Sequence, residues 1–219
     1  MIKNKKKFFL ALILFIISIA LNFPFPHKEP YGETVVSVFN IPVQSAGGFH
    51  YVGIVSLVFF ITSLYFLIKS ISKFHGRAVL LAIIITIFIP SLIVTAFQET
   101  VATGVYAVSY ERGKSSCGFE KVDESTLKGE CELPFKNHSS NDVQFSIEFY
   151  EFYSSEHDLP MLSLMNVGAP YEVELKGKEH KIIKIESYID VSKLENHIEG
   201  GNAAGINIFI KSGEMVRKL

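Results

Sequence analysis

Residues 78–97 read AVLLAIIITIFIPSLIVTAF, twenty residues without a charged side chain. A helix rises 1.5 Å per residue, so this stretch spans about 30 Å, the thickness of a bilayer's hydrocarbon core. Residues 51–68, YVGIVSLVFFITSLYFLI, also lack a charge, and residues 8–23, FFLALILFIISIALNF, form a shorter apolar run. The three runs predict three transmembrane helices in the N-terminal half of this 219-residue chain.

The first apolar run has two interpretations. It follows the basic segment 1–7, and the small residues Ser18 and Ala20 near its end fit cleavage of a secretory signal peptide after Ala20. Because the apolar sequence continues beyond that point, we favour an uncleaved membrane anchor over residues 8–23.

The charges divide the chain into two halves and predict its orientation in the membrane. Residues 1–97 hold eight bases and two acids, a net charge of +6, whereas residues 98–219 hold 13 bases and 20 acids, a net charge of −7. Segments 1–7 and 69–77 carry seven of the bases and no acid, while loop 24–50 carries one base and both acids. The positive-inside rule therefore predicts a multi-pass protein of the cell membrane, with 1–7 and 69–77 cytoplasmic. The Trp-free composition, rich in Lys, Ile and Phe, favours a bacterial source.

The outer half shows the alternation of a small β-domain. Cys131, Leu133 and Phe135 alternate with charged residues, and alternation resumes over 143–149 after a polar turn at 137–142. These two runs predict an antiparallel pair with one buried face. We expect further strands at 171–175, 180–188 and 206–210, a turn at 176–178, helical turns within 189–200 and a flexible turn at 200–205.

In its order of a strand, an Asn-Ser turn and an aromatic-rich strand, the segment 115–212 resembles immunoglobulin-like and fibronectin type III-like domains. The resemblance implies a two-sheet sandwich and carries no function with it. The expected fold is thus a membrane α-helical half with three transmembrane helices, a linker over 98–114 and an all-β extracytoplasmic sandwich over 115–219.

Cys117 and Cys131, the two cysteines of the chain, both lie in the half expected outside. The oxidising side of a membrane favours a disulfide, and closing a loop of fifteen residues stabilises by about 3 kcal/mol in the chain-entropy model. The alternative is a redox or metal-binding pair. Their spacing is far from Cys-x-x-Cys and no His or Cys cluster adjoins them, so we favour the structural disulfide.

The three apolar runs contain no ionisable Asp, Glu, Lys, Arg or His, which argues against an ion or proton pathway. The third run instead carries small residues and one proline at intervals of four. Such a stripe is typical of close packing against a neighbouring helix, in this chain or in another protein. The predicted packing residues are Ala78, Ala82, Thr86 and Pro90.

The densest group of potential ligands or acid/base residues is Glu148, Glu151, Glu156, His157 and Asp158. Glu148 fits the solvent face of its strand, which leaves Glu151, Glu156, His157 and Asp158 as the metal candidates. Their spacing matches no EF-hand or His-Glu-x-x-His pattern, so we expect an exposed turn and neither metal nor cofactor.

Other candidates for chemistry also have simpler interpretations. His138, His180 and His197 are isolated in sequence and are expected at the surface. Asn137-His138-Ser139 fits a glycosylation acceptor, which would matter in a eukaryotic secretory pathway. No Ser/His/Asp constellation with a known spacing occurs, so we expect no enzyme.

The expected function is that of a non-enzymatic binding or accessory module. Its partners would be the lipid bilayer and another membrane protein or an envelope component. The acidic outer half argues against nucleic acid, whose phosphates need a basic face. A small subunit of a transport complex is the alternative, and an envelope hydrolase comes third.

Overall fold

The structure, a computed structural model, describes residues 2–27, 29–39, 41–43, 49–151, 160–192 and 198–219. They form two compact units, Met1–Ala96 and Phe97–Leu219, which are described separately. The N-terminal half is helical and the C-terminal half is mostly β, as the hydropathy and alternation patterns predict.

Four helices lie within the described part of the chain: α1 (Lys5–Leu21), α2 (Tyr31–Val38), α3 (Tyr51–Ser70) and α4 (His75–Thr100). α3 has 20 residues and α4 has 26, and both are long and apolar enough to cross a membrane. α1 has 17 residues, and at 1.5 Å per residue its length is about 26 Å. Two of the three predicted spans thus meet the length criterion, and the third stays a prediction.

α1 and α3 pack against each other in antiparallel orientation through small residues. The Ser63 hydroxyl donates to the Ala11 carbonyl over 2.9 Å, and the Ser18 hydroxyl donates to the Ser56 carbonyl over 3.0 Å. Asn22 at the end of α1 adds a hydrogen bond to the Ser56 hydroxyl. Small side chains allow close helix approach, and hydrogen bonds that cross between helices satisfy the few polar groups of both apolar surfaces.

Helix α2, between α1 and α3, packs against the ends of these two helices. A Cβ on Gly32 of α2 would lie 2.7 Å from the Val52 side chain and 2.8 Å from the Leu21 carbonyl oxygen, so a larger residue does not fit. The buried Glu33 carboxylate lies 2.7 Å from Nδ1 of His50, the residue before α3. The close approach at Gly32 and the Glu33–His50 contact therefore hold α2 against the ends of α1 and α3.

The C-terminal unit contains nine strands within its described residues: β1 (Val108–Tyr110), β2 (Ser116–Lys121), β3 (Thr126–Asn137), β4 (Val143–Phe149), β5 (Tyr171–Leu175), β6 (His180–Asp190), β7 (Gly200–Ala204), β8 (Ile208–Ser212) and β9 (Met215–Lys218). They form two antiparallel sheets. In sheet 1, β3 pairs with β1, β2 and β6, and β2 pairs with β7. Sheet 2 has the order β5-β4-β8-β9.

The predicted pairing of β3 with β4 is wrong, because the two strands belong to different sheets. Both strands bury one face, as predicted, but the faces meet across the core. The rings of Phe135 on β3 and Phe145 on β4 are 5.4 Å apart in an edge-on contact. Alternation reports which face of a strand is buried, and it is identical for strands that pair and for strands that face each other.

The hydrophobic core lies between the two sheets and contains the inward-facing residues of both alternating runs. Leu133, Phe135 and Ile147 are fully buried, together with Ile208 and Ile210 on β8. Burying side chains of this size stabilises the fold by about 1.5–3 kcal/mol each. This shared core holds the two sheets together.

Residues 98–114, expected as a linker, contribute to this unit. The segment includes a 3-10 turn at Gly104–Ala107 and strand β1, and Val105 and Val108 are fully buried. Buried Arg217 donates to the carbonyls of Val105 and Val108 over 2.7 and 2.6 Å, and burial lowers its pKa to about 10. Gln98 donates to the Val108 carbonyl over 3.2 Å. These hydrogen bonds attach the 3-10 turn and the start of β1 to the rest of the C-terminal unit.

The segment around residues 189–205 also differs from expectation. β6 extends to Asp190, and residues 200–204 form strand β7 on β2 where a flexible turn was expected. Residues 193–197 lie outside the described residues, so the expected helical turns there remain a prediction. The turn at 176–178 does join β5 to β6.

Candidate functional site

The outward face of sheet 1 has a depression of about 400 Å³. Gly118 lies in its floor, between Asn202 on β7 and Glu130 on β3, which are its direct partners in the two ladders. Because Gly118 has no side chain, the cross-strand row of Asn202, Gly118 and Glu130 has a gap at its centre. Polar side chains of neighbouring rows form the walls: Ser116, Glu120, Lys128 and Glu132.

The charges around this depression, which we call the sheet-1 depression, are mixed and predominantly acidic. Lys128 lies 2.5 Å from Glu130 and 3.2 Å from Glu186, and these hydrogen bonds raise the pKa of Lys128 and lower that of Glu186. Lys184 lies 2.7 Å from Glu132, which raises the pKa of the lysine. Exposed ion pairs of this kind add little stability. The face can therefore offer its carboxylates and amide to a polar or cationic partner at small cost to the fold.

A second polar cluster joins Glu99, Ser109 and His138. The Ser109 hydroxyl oxygen lies 3.0 Å from Nε2 of His138, and a Glu99 carboxylate oxygen lies 3.7 Å from Nδ1 of the same ring. Burial, followed by the charge of Lys136, lowers the pKa of His138, while Glu99 opposes this shift. The ring is thus neutral at ordinary pH and can accept a hydrogen bond from Ser109 when Nδ1 carries the proton.

His138 is 7% exposed, so its expected position at the surface is wrong. The backbone N–H of His138 donates to the Ala107 carbonyl over 2.8 Å, which extends the β1–β3 ladder and draws the side chain inward. His180 is exposed, as expected, and lies 3.6 Å from Glu111. His197 lies outside the described residues.

Asn137 is fully buried, which makes it unsuited to carry a glycan in the folded unit. Its side-chain amide donates to the carbonyls of Asn141 and Lys176 over 2.8 and 3.0 Å, and its oxygen accepts from the Ser139 N–H over 2.9 Å. The Asn-His-Ser pattern therefore marks a turn that this side chain holds together.

Cys117 and Cys131 are direct cross-strand partners on β2 and β3, with Cα atoms 4.0 Å apart and sulfur atoms at disulfide-bonding distance. Both are buried beneath the sheet-1 face. The pair joins the two strands whose outward side chains form the sheet-1 depression.

Of the metal-ligand candidates, the structure describes Glu151, whereas Glu156, His157 and Asp158 lie outside the described residues. A Glu151 carboxylate oxygen accepts hydrogen bonds from the backbone N–H groups of Met161 and Ser163 over 3.1 and 2.9 Å. These bonds give Glu151 a structural role. Across the described ranges, no three His, Cys, Asp or Glu side chains group as a metal site would require.

The predicted stripe lies on one face of α4. Ala82 is buried, and Ala78, Thr86 and Pro90 are half-buried, whereas most of the apolar residues between them are exposed. Ala78 and Ala82 line an apolar gap toward α1 and α3 of this same chain. The Thr86 hydroxyl donates to the Ala82 carbonyl over 2.9 Å.

Sequence reasoning missed the sheet-1 depression and the Glu99–Ser109–His138 cluster. A glycine in a strand is the one local signal of the first, since an interior strand glycine often marks a place where another group approaches. The cluster joins residues from separate elements and has no local signal. The chain matches no known protein-family model, no curated protein and no solved structure.

Proposed function

We propose that this chain is a multi-pass protein of a bacterial cell membrane that presents a non-enzymatic binding module on the outer side. Three spans, formed by α1, α3 and α4, place the N-terminus and residues 69–77 in the cytoplasm. The apolar length of α3 and α4 and the packing of α1 along α3 support this arrangement. The two sheets around one core support an immunoglobulin-like or fibronectin type III-like sandwich as the presented module.

The sheet-1 depression carries the functional proposal. It is polar, it has carboxylates in excess, and it lies on a face whose backbone is locked by the Cys117–Cys131 pair. Rigid strands position recognition groups better than loops do, and complementary charge guides a partner into register. We therefore propose that it binds a polar envelope component or the basic surface of a partner's outer domain.

The test is co-purification of the tagged full-length protein from native membranes in mild detergent. A Glu130→Gln/Glu132→Gln variant removes two carboxylates from the depression. A Glu172→Gln/Glu174→Gln variant removes two from exposed positions on β5 in sheet 2 and serves as the control. We expect the first variant to lose a near-stoichiometric partner that the wild type and the control retain. The proposal is contradicted if both variants retain that partner, or if the wild type itself purifies without a near-stoichiometric partner.

The identity of that partner separates the accessory module from the alternative of a small transport-complex subunit. A partner that forms a transport pathway would assign this chain to a transport complex. An envelope component or a receptor-like outer domain would support the binding module.

A hydrolase is a second candidate, and the Glu99–Ser109–His138 cluster is the observation that favours it. The order of hydroxyl, imidazole and carboxylate is that of a nucleophile, its general base and the group that orients the base. A fluorophosphonate probe, which reacts with activated serines, should then label Ser109 and should fail to label Ser109→Ala or His138→Gln. Absence of labelling in the folded wild type would leave the cluster with a structural role.

A further inference from the structure

Two basic segments come together at one end of the helical unit. The backbone N–H groups of Lys3 and Asn4 donate to the Ser70 carbonyl over 2.6 and 3.1 Å, and Ile2 forms a β-bridge with Ile71. The N-terminal segment is thereby fixed against the connection between α3 and α4. Seven basic side chains belong to this end: Lys3, Lys5, Lys6, Lys7, Lys69, Lys73 and Arg77.

These seven bases, which we call the basic end, have no carboxylate partner among the residues that the structure describes. Residues 1–28 and 34–98 contain no acid. Glu33 pairs with His50 beside Leu21, where α1 ends and α3 begins, at the opposite end of the antiparallel pair. Basic side chains collected without counter-charges form a strong local site for an anion.

An apolar groove of about 260 Å³ begins at the basic end and runs between α1, α3 and α4. Phe8, Ile71 and Ala78 line it next to the bases, and Phe15 and Ile85 line it further along. The Ser63 hydroxyl in its wall donates to the Ala11 carbonyl, so that hydroxyl is already satisfied. A groove with such walls favours hydrocarbon over water.

Each of the three helices contributes at least one small side chain to the groove: Ala11 on α1, Ser63 on α3, and Ala78 and Ala82 on α4. These short side chains leave open the space that larger ones would fill. Its volume of about 260 Å³ is smaller than that of one turn of another helix, about 400–600 Å³ for a diameter of about 10–12 Å and a pitch of about 5.4 Å. A single hydrocarbon chain suits it.

We propose that the basic end and this groove form one binding site for an anionic phospholipid, with the phosphate among the bases and an acyl chain in the groove. Charge complementarity selects the anionic headgroup, and basic pockets between membrane helices bind such headgroups in general. The proposal rests on the membrane insertion proposed above. It adds a specific lipid ligand at the end of the helical unit that is proposed to be cytoplasmic.

Native mass spectrometry of the full-length protein in detergent tests the site, with phosphatidylglycerol and phosphatidylcholine of identical acyl chains as probes. We expect phosphatidylglycerol to bind about tenfold or more tightly than phosphatidylcholine. Each base near a lipid headgroup contributes about fivefold in affinity, so Lys69→Gln/Lys73→Gln/Arg77→Gln should lower the affinity for phosphatidylglycerol by about a hundredfold. A Lys114→Gln/Lys121→Gln/Lys181→Gln variant removes three exposed bases from the β unit and should bind like the wild type.

A second pair of variants tests the groove. Ala82→Phe fills it and should weaken both lipids, whereas Leu80→Phe on the exposed side of α4 should change neither. Ala78→Phe, at the edge of the groove, replaces Ala82→Phe if that variant fails to keep the wild-type circular dichroism. Equal affinity of the wild type for the two lipids would overturn the proposal, as would an unchanged preference in the triple Gln variant at the basic end. Unchanged lipid binding in the groove-filling variant, Ala82→Phe or Ala78→Phe, would also overturn it.

Alkaline carbonate extraction of cell membranes keeps this result separate from the proposed function. A chain released by carbonate is not an integral membrane protein, which refutes the proposed membrane architecture together with the lipid site. A chain retained in the membrane but without preference for phosphatidylglycerol refutes the lipid site alone.

Discussion

Reduction of the Cys117–Cys131 pair should destabilise the C-terminal unit by about 3 kcal/mol. The two residues close a loop of fifteen residues, and the chain-entropy relation for a loop of that length predicts about this loss when the unfolded chain is released. Both side chains are almost inaccessible, at 1% and 2% exposure. Cys117→Ala/Cys131→Ala therefore removes two buried sulfur atoms as well, at about 1 kcal/mol each, for a total loss of about 5 kcal/mol.

The assay is urea denaturation of the full-length protein in detergent micelles. Tyrosine fluorescence is the probe, since the chain has no Trp and six of its nine tyrosines lie in residues 97–219; far-UV circular dichroism follows the secondary structure of both units. The wild type is compared with and without reductant, and the double Ala variant under reductant is the control, because it should not respond. If wild-type unfolding free energies with and without reductant agree within about 0.5 kcal/mol, or if the unfolded wild type shows free thiols without reductant, the reasoning fails.

Three further predictions concern single residues of the same unit. The folded state holds the pKa of His138 below its usual 6.5, so the imidazole binds a proton more tightly in the unfolded chain than in the folded one. The free energy of unfolding should therefore fall as pH drops below about 6.5. His138→Gln should flatten this part of the pH–stability curve, and an unchanged slope would contradict the role of His138. Gly177→Ala places a methyl group against the Ser140 carbonyl and should cost about 1–3 kcal/mol in denaturant titration, whereas Gly113→Ala, which points into open space, should stay within about 0.5 kcal/mol. Asn137→Ala removes the five hydrogen bonds of a buried side-chain amide and should cost about 2–3 kcal/mol. Asn141→Ala, at an exposed side chain, is the near-neutral control, and similar midpoints for the two variants would refute this role.

Alternation and apolar length were predictable because they are local properties of the chain. Strands β3, β4 and β5 lie close to where period-two patterns place them, and α3 and α4 follow the uncharged runs. β1, β2 and β9 were missed, since β2 contains Gly118 and charged residues, while β1 and β9 have three and four residues, too few for a pattern. β7 was taken for a turn because its glycines lower strand propensity, and pairing with β2 overrides that preference.

The candidate sites were less accessible to sequence reasoning than the fold. The sheet-1 depression needs β7 beside β2, although Gly200, where β7 begins, lies 79 residues beyond Lys121, where β2 ends. Ser109 and His138 are 29 residues apart and meet through the β1–β3 ladder. No spacing rule links such residues, because their separation depends on which strands become neighbours.

By itself, the sequence determined the division into a basic apolar half and an acidic β half, the buried face of the main strands and the end of the helical half that carries the bases. These features follow from side-chain hydrophobicity and charge, which each residue carries regardless of its neighbours. Only tertiary packing places β3 and β4 in different sheets, buries His138 and leaves a groove between α1, α3 and α4 beside the bases. Each of these features depends on which distant residues pack together, and the packing adopted is the one with the lowest free energy for the core as a whole.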